Sequence, residues 1–450
     1  MTSVRPASQK MPTQERFRWG SSVADGRTHP CSRVLYVSYD GVLEPLGQSQ
    51  VLPYLEGLSR EGVTFTLLTF EKGPDTRPGS PAFERTRARL AATGIRWHPL
   101  RYHKRPALLS TLYDIVRGAV SGLYLARRQG TQVVHARSYV PAMMALPVRW
   151  LLRCPLLFDI RGFWVDERVE GGIWRKGFVY RIATLVERLL YRNADAIVSL
   201  TEAGKLAVQD FPAVSRRGIP IEVVPTCVDT EHFAPRKPDR ALIERLGFEA
   251  KTVFTYVGSV GTWYAMDEVL DFFGVVLQEI PEAALLLVVR GPLDALRRSV
   301  ELRGILNVTA IVSSVPHGEI PRWLAVSRVG LAFYRPGVSN IARFPTKIGE
   351  YLASGLPSVV SGGIGDCDRI LEGERVGVSV GEFTRPEYRR AARALRELLM
   401  DDSLSERCRR VALLRLSAVE GVKRYRAVYR RLAGEEAPPV GTTGGASCPP

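Results

Sequence analysis

The chain has 450 residues, more than one ordinary core organises, so about two or three domains are expected. With 45% hydrophobic and 24% charged residues it is too apolar for a disordered chain. No uncharged apolar run reaches the ~18 residues of a spanning helix, since the best stretch, 143–160, is broken by Arg149 and Arg153. A net charge of +16 leaves four readings open: an anionic small substrate, an anionic membrane surface, nucleic acid, or a plain arginine-rich solvated surface. The absence of zinc-finger, RNP or basic-zipper patterns argues against nucleic acid. The N-terminus lacks the apolar stretch and small-residue cleavage site of a secretory signal, and the cysteines show no paired spacing. The expected setting is therefore the cytoplasm, without a disulfide framework or zinc site.

In chain order, residues 1–30 are polar and aperiodic and read as a disordered arm. A first α/β domain is expected over 31–222. Strands are predicted at 33–38, 64–69, 133–135, 156–160 and 196–200, with helical segments between them, one carrying Val51, Leu55 and Leu58 on a single face. Residues 105–128 form a helical pattern with Leu108, Leu112, Ile115, Ala119 and Leu123 near one face and basic residues at both ends. That pattern suits a core helix or a helix lying on an anionic bilayer. The Pro-marked stretch 223–238 (from VVPTCVDTEHF to Pro238) reads as a hinge. A second α/β domain follows over 239–433, with strands at 252–258, 284–289, 308–312, 329–333 and 358–360. Its last helix, 405–433, is placed where it can pack back over the first domain. The tail 434–450 is again structureless in pattern. Strand–helix alternation in both halves predicts two doubly wound, Rossmann-like domains facing a central cleft, with ligands at the carboxyl ends of the strands.

The segment PTKIGEYLASG (345–355) concentrates the chemistry. Pro345 and Thr346 open a helix whose free N–H groups and dipole attract phosphate. Lys347 sits in that first turn against the dipole, which suggests a compensating anion such as a nucleotide diphosphate. Glu350, one turn on, is placed to accept from ribose hydroxyls. The plainer alternative is a solvated Lys–Glu pair at i,i+3.

PTKIGEYLASGLPSVVS resembles the nucleotide-sugar-binding helix of family-4-like retaining glycosyltransferases of the GT-B fold. VVPTCVDTEHF resembles that family's hinge element, and VLYVSYDGVLEPLGQSQVLPYLEGL its first strand, glycine loop and helix. VVHARSYVPA and FDIRGFWVDERVEGGIW resemble a bacterial branch acting on polysaccharides and lipid-linked glycans. The resemblance implies metal-independent transfer from a nucleotide diphosphate-sugar, with retention and no cofactor beyond the donor. The implied acceptor is a glycan or lipid-linked glycan, with an anionic membrane surface as a further partner.

By the same resemblance, Gly47 and Gln48 face the donor phosphates, and His135 joins Lys347 and Glu350 as a catalytic residue facing the transferred sugar or acceptor. Asp159, Arg161 and Trp164 lie on the acceptor side. Gly258, Ser259 and Gly261 form the donor-side turn, Arg290 is a second phosphate cation, and Val315 and His317 approach the nucleobase. One position departs from the family pattern: Ala342 stands where the first of two glutamates is usual, with Ser339–Ile341 backbone or Arg343 as replacements. Two other readings share the site, a GT-B-like sugar-nucleotide epimerase and a non-catalytic nucleotide-sugar or nucleic-acid-binding protein.

Overall fold

The computed structural model describes residues 32–435 apart from 74, 75, 262 and 314. The expected N-terminal arm and all but the start of the expected tail lie outside the described residues. Seven parallel strands form the first sheet: β1 (Arg33–Ser38), β2 (Thr64–Glu71), β3 (Arg96–Arg101), β4 (Val133–Arg137), β5 (Leu156–Asp159), β6 (Ala196–Ser199) and β7 (Ile221–Val223). Six more form the second: β8 (Thr252–Ser259), β9 (Ala283–Arg290), β10 (Thr309–Ser313), β11 (Val329–Ala332), β12 (Ser358–Ser361) and β13 (Gly377–Val380). The orders are β3-β2-β1-β4-β5-β6-β7 and β10-β9-β8-β11-β12-β13. Each sheet therefore reverses direction beside its own first strand, between β1 and β4 and between β8 and β11. Such switch points open a crevice at the carboxyl ends of the strands.

The central strands are apolar and buried on both faces, as parallel sheets require. Three strands escape sequence reading, β3, β7 and β13, and all three are edges of their sheets. β3 (RWHPLR) is charged, contains Pro99 and is only half-buried, the usual devices of an exposed edge.

The expected single helix over 405–433 is instead two, Leu404–Val411 and Ala418–Leu432, joined by a π-helical turn at Ala412–Leu416. The break has a partner: Val228 in the hinge stretch accepts from the Ala418 amide and donates to Leu416 carbonyl, at 2.9 and 2.8 Å. The two crossings between the sheets thus lie side by side. Helix Ala418–Leu432 then packs against helix Leu52–Arg60 of the first domain. Val422, Tyr425, Val428 and Tyr429 are buried in the same apolar cluster as β1 and β2 residues.

Two glycines set that approach. A Cβ on Gly57 would lie 2.5 Å from a Val422 methyl, and one on Gly421 would lie 2.5 Å from the Tyr54 ring. Tyr54 cannot swing aside, because its hydroxyl donates to Pro225 carbonyl and accepts from the Cys227 amide. Gly→Ala inside a helix ordinarily stabilises by about 1 kcal/mol. Here Gly421→Ala is expected to destabilise by about 1–3 kcal/mol through overpacking, read as a lower urea midpoint.

Candidate functional site

Helix Thr346–Ala353 begins at Pro345, whose extended backbone stops helix from forming earlier. No side chain caps this N-terminus and its first turn carries no acid. The helix is pinned to the second sheet by Tyr351, whose hydroxyl accepts from Val257 N–H at 2.9 Å and donates to Leu331 carbonyl at 3.2 Å. Gly330 in β11 makes room, since a Cβ there would fall 2.2 Å from the Tyr351 ring. The helix N-terminus is thereby held over the end of β8.

Lys347 is buried, at 7% exposure, and among the described residues its ammonium has no hydrogen-bond partner. It sits among three tyrosine rings, 4.1 Å from the centroid of Tyr256, 4.4 Å from Tyr264 and 5.6 Å from Tyr334. Burial pushes this amine down to about 7, against the pull of Glu350 and the ring faces. Gly258 has φ +148°, and a Cβ there would sit 2.9 Å from Lys347 Nζ. Glycine at 258 is what lets β8's end approach the lysine.

The other residues expected on the donor side lie on neighbouring elements of the second domain. Ser259 is in register with Arg290, whose exposed side chain closes β9. Glu350, 7% exposed, is bonded through Oε1 to His317 Nε2 at 3.0 Å. That bond raises the imidazole above its ordinary value, and Arg290 is near enough to oppose it. Val315 is buried in the second domain's core, while Gly261 lies in open space.

On the first domain, several expected positions prove to be supports. Gly47's Cβ position is filled by the Gly41 carbonyl at 2.1 Å, so the loop's own packing requires glycine there. Gln48 is likewise occupied, donating to Val42 carbonyl and accepting from Arg89. Gln50 reaches across in their place, donating from Nε2 to Thr346 Oγ1 at 2.7 Å. Its Oε1 accepts from Arg137 at 2.9 Å and from Arg161 at 3.4 Å.

His135 lies deep in the first domain. It is 1% exposed, neighbours Tyr36 in β1, and is held between Tyr429 Oη at 2.6 Å and Asp159 Oδ2 at 3.4 Å. Burial lowers its basicity, and it lies under helix Ala418–Leu432. Asp159, 1% exposed, accepts from Tyr425 at 2.9 Å. Burial alone would raise its carboxyl, but Arg161, 3.6 Å away, and His135 outweigh that and bring it down to about 2. Asp159 thus ties Arg161 to the C-terminal helix.

Trp164 opens helix Trp164–Glu170, stacked on Tyr139 and edge-on to Trp174. With Glu167, Arg168, Ile173, Trp263 and Arg343 it lines a cavity of about 220 Å³ built from both domains. Arg343 lies over Trp263 at 5.1 Å and bonds Glu167 at 3.2 Å. Ala342 is buried against Gly204 of the first domain, away from the cavity walls. An acid does enter this segment from elsewhere: Glu170 accepts from the Ser339 amide at 3.0 Å and from its hydroxyl.

The tyrosine enclosure, Gln50, Arg137 and the Glu167 and Glu170 contacts all escape sequence reading. Each depends on side chains from distant segments, and none carries a local spacing signal.

With this geometry in view, residues 47–227 match the family model described as a glycosyl transferase 4-like domain. No curated protein matches the sequence. The structure is similar to a sucrose-phosphate synthase from Thermosynechococcus elongatus, at 14% identity over 90% of this chain and 100% of that one, with a TM-score of 0.68. It is also similar to a glycosyltransferase from Rickettsia africae ESF-5, at 11% identity over 91% and 100%, TM-score 0.66. Anabaena HepE, solved with UDP-glucose, is similar at 14% identity over 89% and 99%, TM-score 0.61. The fold is GT-B: two facing Rossmann-like domains.

The depressed Lys347 gives a signed pH dependence. Between about pH 7 and the free-lysine value near 10.4, the unfolded chain holds a proton that the folded chain has released. Folding stability then rises with pH across that window and is flat below it. Denaturant melts at about pH 7 and about pH 9 are expected to show a gain of about 1–2 kcal/mol in the wild type. Lys347→Met is expected to lose that gain.

Proposed function

We propose that the chain is a retaining, hexosyltransferase-like enzyme that moves a sugar from a nucleotide diphosphate-sugar to a hydroxyl acceptor without a metal. The observation that carries the reading is the buried, unpartnered Lys347 ammonium at an uncapped helix N-terminus. A cation desolvated in this way needs an anion, and a diphosphate placed there meets N–H groups, dipole and ammonium together. The HepE structures with UDP and UDP-glucose support a uridine diphosphate-sugar as donor.

In this reading Arg290, beside Ser259, is the second cation on the diphosphate. Gly258, Ser259 and Gly261 let backbone come close to it. Glu350 takes ribose hydroxyls in place of His317, and His317 and the Val315 backbone flank the base. Charge developing on the departing phosphate is met by groups already in position, which lowers the barrier without reorganisation. The sugar leaves and the acceptor attacks on one face, with no protein nucleophile assigned.

The acceptor enters through the cavity between Trp164, Trp263 and Arg343, whose aromatic walls and guanidinium suit a sugar ring and an anionic group. Arg161, steadied by Asp159 and bonded to Gln50, is assigned to the acceptor side of the first domain. The acceptor class is a glycan or lipid-linked glycan in cell-surface polysaccharide synthesis, met in the cytoplasm at the inner face of the membrane. Among the described residues no helix is long and apolar enough to cross a membrane.

Three measurements test this. A thermal-shift panel of UDP-, GDP-, ADP- and dTDP-sugars is expected to show stabilisation by the UDP-sugars above the others. Lys347→Ala is expected to lower kcat/KM at least about tenfold, as loss of a charged contact does. Wild-type turnover in that variant would refute the diphosphate clamp. Nucleotide release that needs added acceptor would separate transfer from epimerisation.

A further inference from the structure

Helices Ala107–Gln129 and Phe178–Asn193 both pack against helix Tyr139–Leu152 and so share one face of the first sheet. Their outer sides are apolar. On the first, Leu109, Leu112, Val116, Val120 and Tyr124 are 55–65% exposed, at spacings of three and four that place them on one stripe. On the second, Phe178, Ile182, Leu185 and Leu189 repeat the pattern, from 40% to 79% exposed. Trp150 and Leu151, at the end of the helix between them, are exposed as well. Soluble monomers rarely leave such continuous apolar surface in water.

Charge says what covers it. Each outer helix contains a single acid, Asp114 or Glu187, and both are buried. The remaining charges on the two helices are all arginines: Arg117, Arg127 and Arg128 on one, Arg181, Arg188 and Arg192 on the other, partly or fully exposed. Exposed Lys104 and Arg105 precede the first helix, and exposed Arg175 and Lys176 the second. A second copy of the chain would set these like charges against each other across a two-fold interface. An anionic bilayer takes both the apolar stripes and the surrounding cations.

The position of the cavity adds direction. Ile173, 57% exposed, belongs to the cavity wall, and residues 174–177 lead from it straight to Phe178 at the start of the second stripe.

We propose that the outer face of helices Ala107–Gln129 and Phe178–Asn193 docks on an anionic lipid bilayer, with the cavity mouth at its edge receiving an acceptor held in that bilayer. The docking half stands on its own, while the delivery half rests on the transferase reading. Binding is therefore measured without turnover.

The full chain is mixed at low salt with vesicles of phosphatidylcholine containing about a third phosphatidylglycerol, and with vesicles of phosphatidylcholine alone. Co-sedimentation with the anionic vesicles is expected, with loss of most binding on the neutral ones. The double variant Leu112→Glu/Leu185→Glu is expected to partition at least about tenfold more weakly. Its thermal melt and its donor-dependent thermal shift are expected to stay unchanged, since both positions are exposed and far from the donor residues. Light scattering is expected to report a monomer in the absence of vesicles. The proposal is overturned by absence of co-sedimentation, by unchanged partition of the folded variant, or by a dimer that the same substitutions dissolve. Failure of nucleotide-sugars to bind, with vesicle binding intact, would count against the transferase reading and leave the docking face standing.

Discussion

The rest of the site depends on one arrangement, a lysine ammonium buried among tyrosine rings with no hydrogen-bond partner among the described residues. A free ammonium in such a place is costly, and burial accordingly weakens its hold on the proton. Every neighbouring feature maintains that condition. Tyr351 fixes the helix that carries the lysine, Gly330 admits Tyr351, and Gly258 admits the lysine itself. The helix N-terminus at the same point is left without a side-chain cap. An anion arriving there satisfies the ammonium and the N–H groups together, so binding strength is prepared before the ligand comes.

The first domain is not a bystander to this. Gln50 joins Thr346, at the head of the same helix, to Arg137 and Arg161. Asp159 steadies Arg161 and is in turn held by Tyr425 from the C-terminal helix. A continuous polar path therefore runs from that helix through the first sheet to the head of helix Thr346–Ala353. Asp366 closes a second link by capping helix Glu202–Gln209 of the first domain at Glu202 and Ala203. Docking of the last helix and the geometry of the cleft are thus parts of one structure, and the facing glycines Gly57 and Gly421 set how closely it closes.

The sequence made the fold legible wherever strands were central, because a strand buried on both faces must be a continuous apolar run. It hid β3, β7 and β13, all at sheet edges: β3 carries charge and proline, while β7 and β13 are only three and four residues long. Helix Thr346–Ala353 was legible from Pro345 because a helix start is a local event. Gln50 and the tyrosine enclosure were not, since nothing local couples residue 50 to 346 or 256 to 347. His135 and Asp159 were read toward the cleft because the expected strands end at or beside them; β4 in fact runs on to Arg137, and both side chains meet tyrosines of the C-terminal helix. The helix at 105–128 left core and bilayer readings open, since periodicity alone cannot say which side of an amphipathic helix the protein buries. The structure answers for its outer side, where the large apolar residues face water.

The central claim is that Lys347, its hold on the proton weakened by burial to about 7, waits for an anionic diphosphate. Calorimetric titration of UDP near pH 8, repeated in buffers of different ionisation enthalpy, tests it most directly. An anion against the ammonium restores its basicity, so the complex is expected to take up a substantial fraction of one proton, about half or more, an uptake that Lys347→Met abolishes along with most of the affinity. Tight UDP binding with no proton uptake, or uptake that persists in Lys347→Met, would contradict the account.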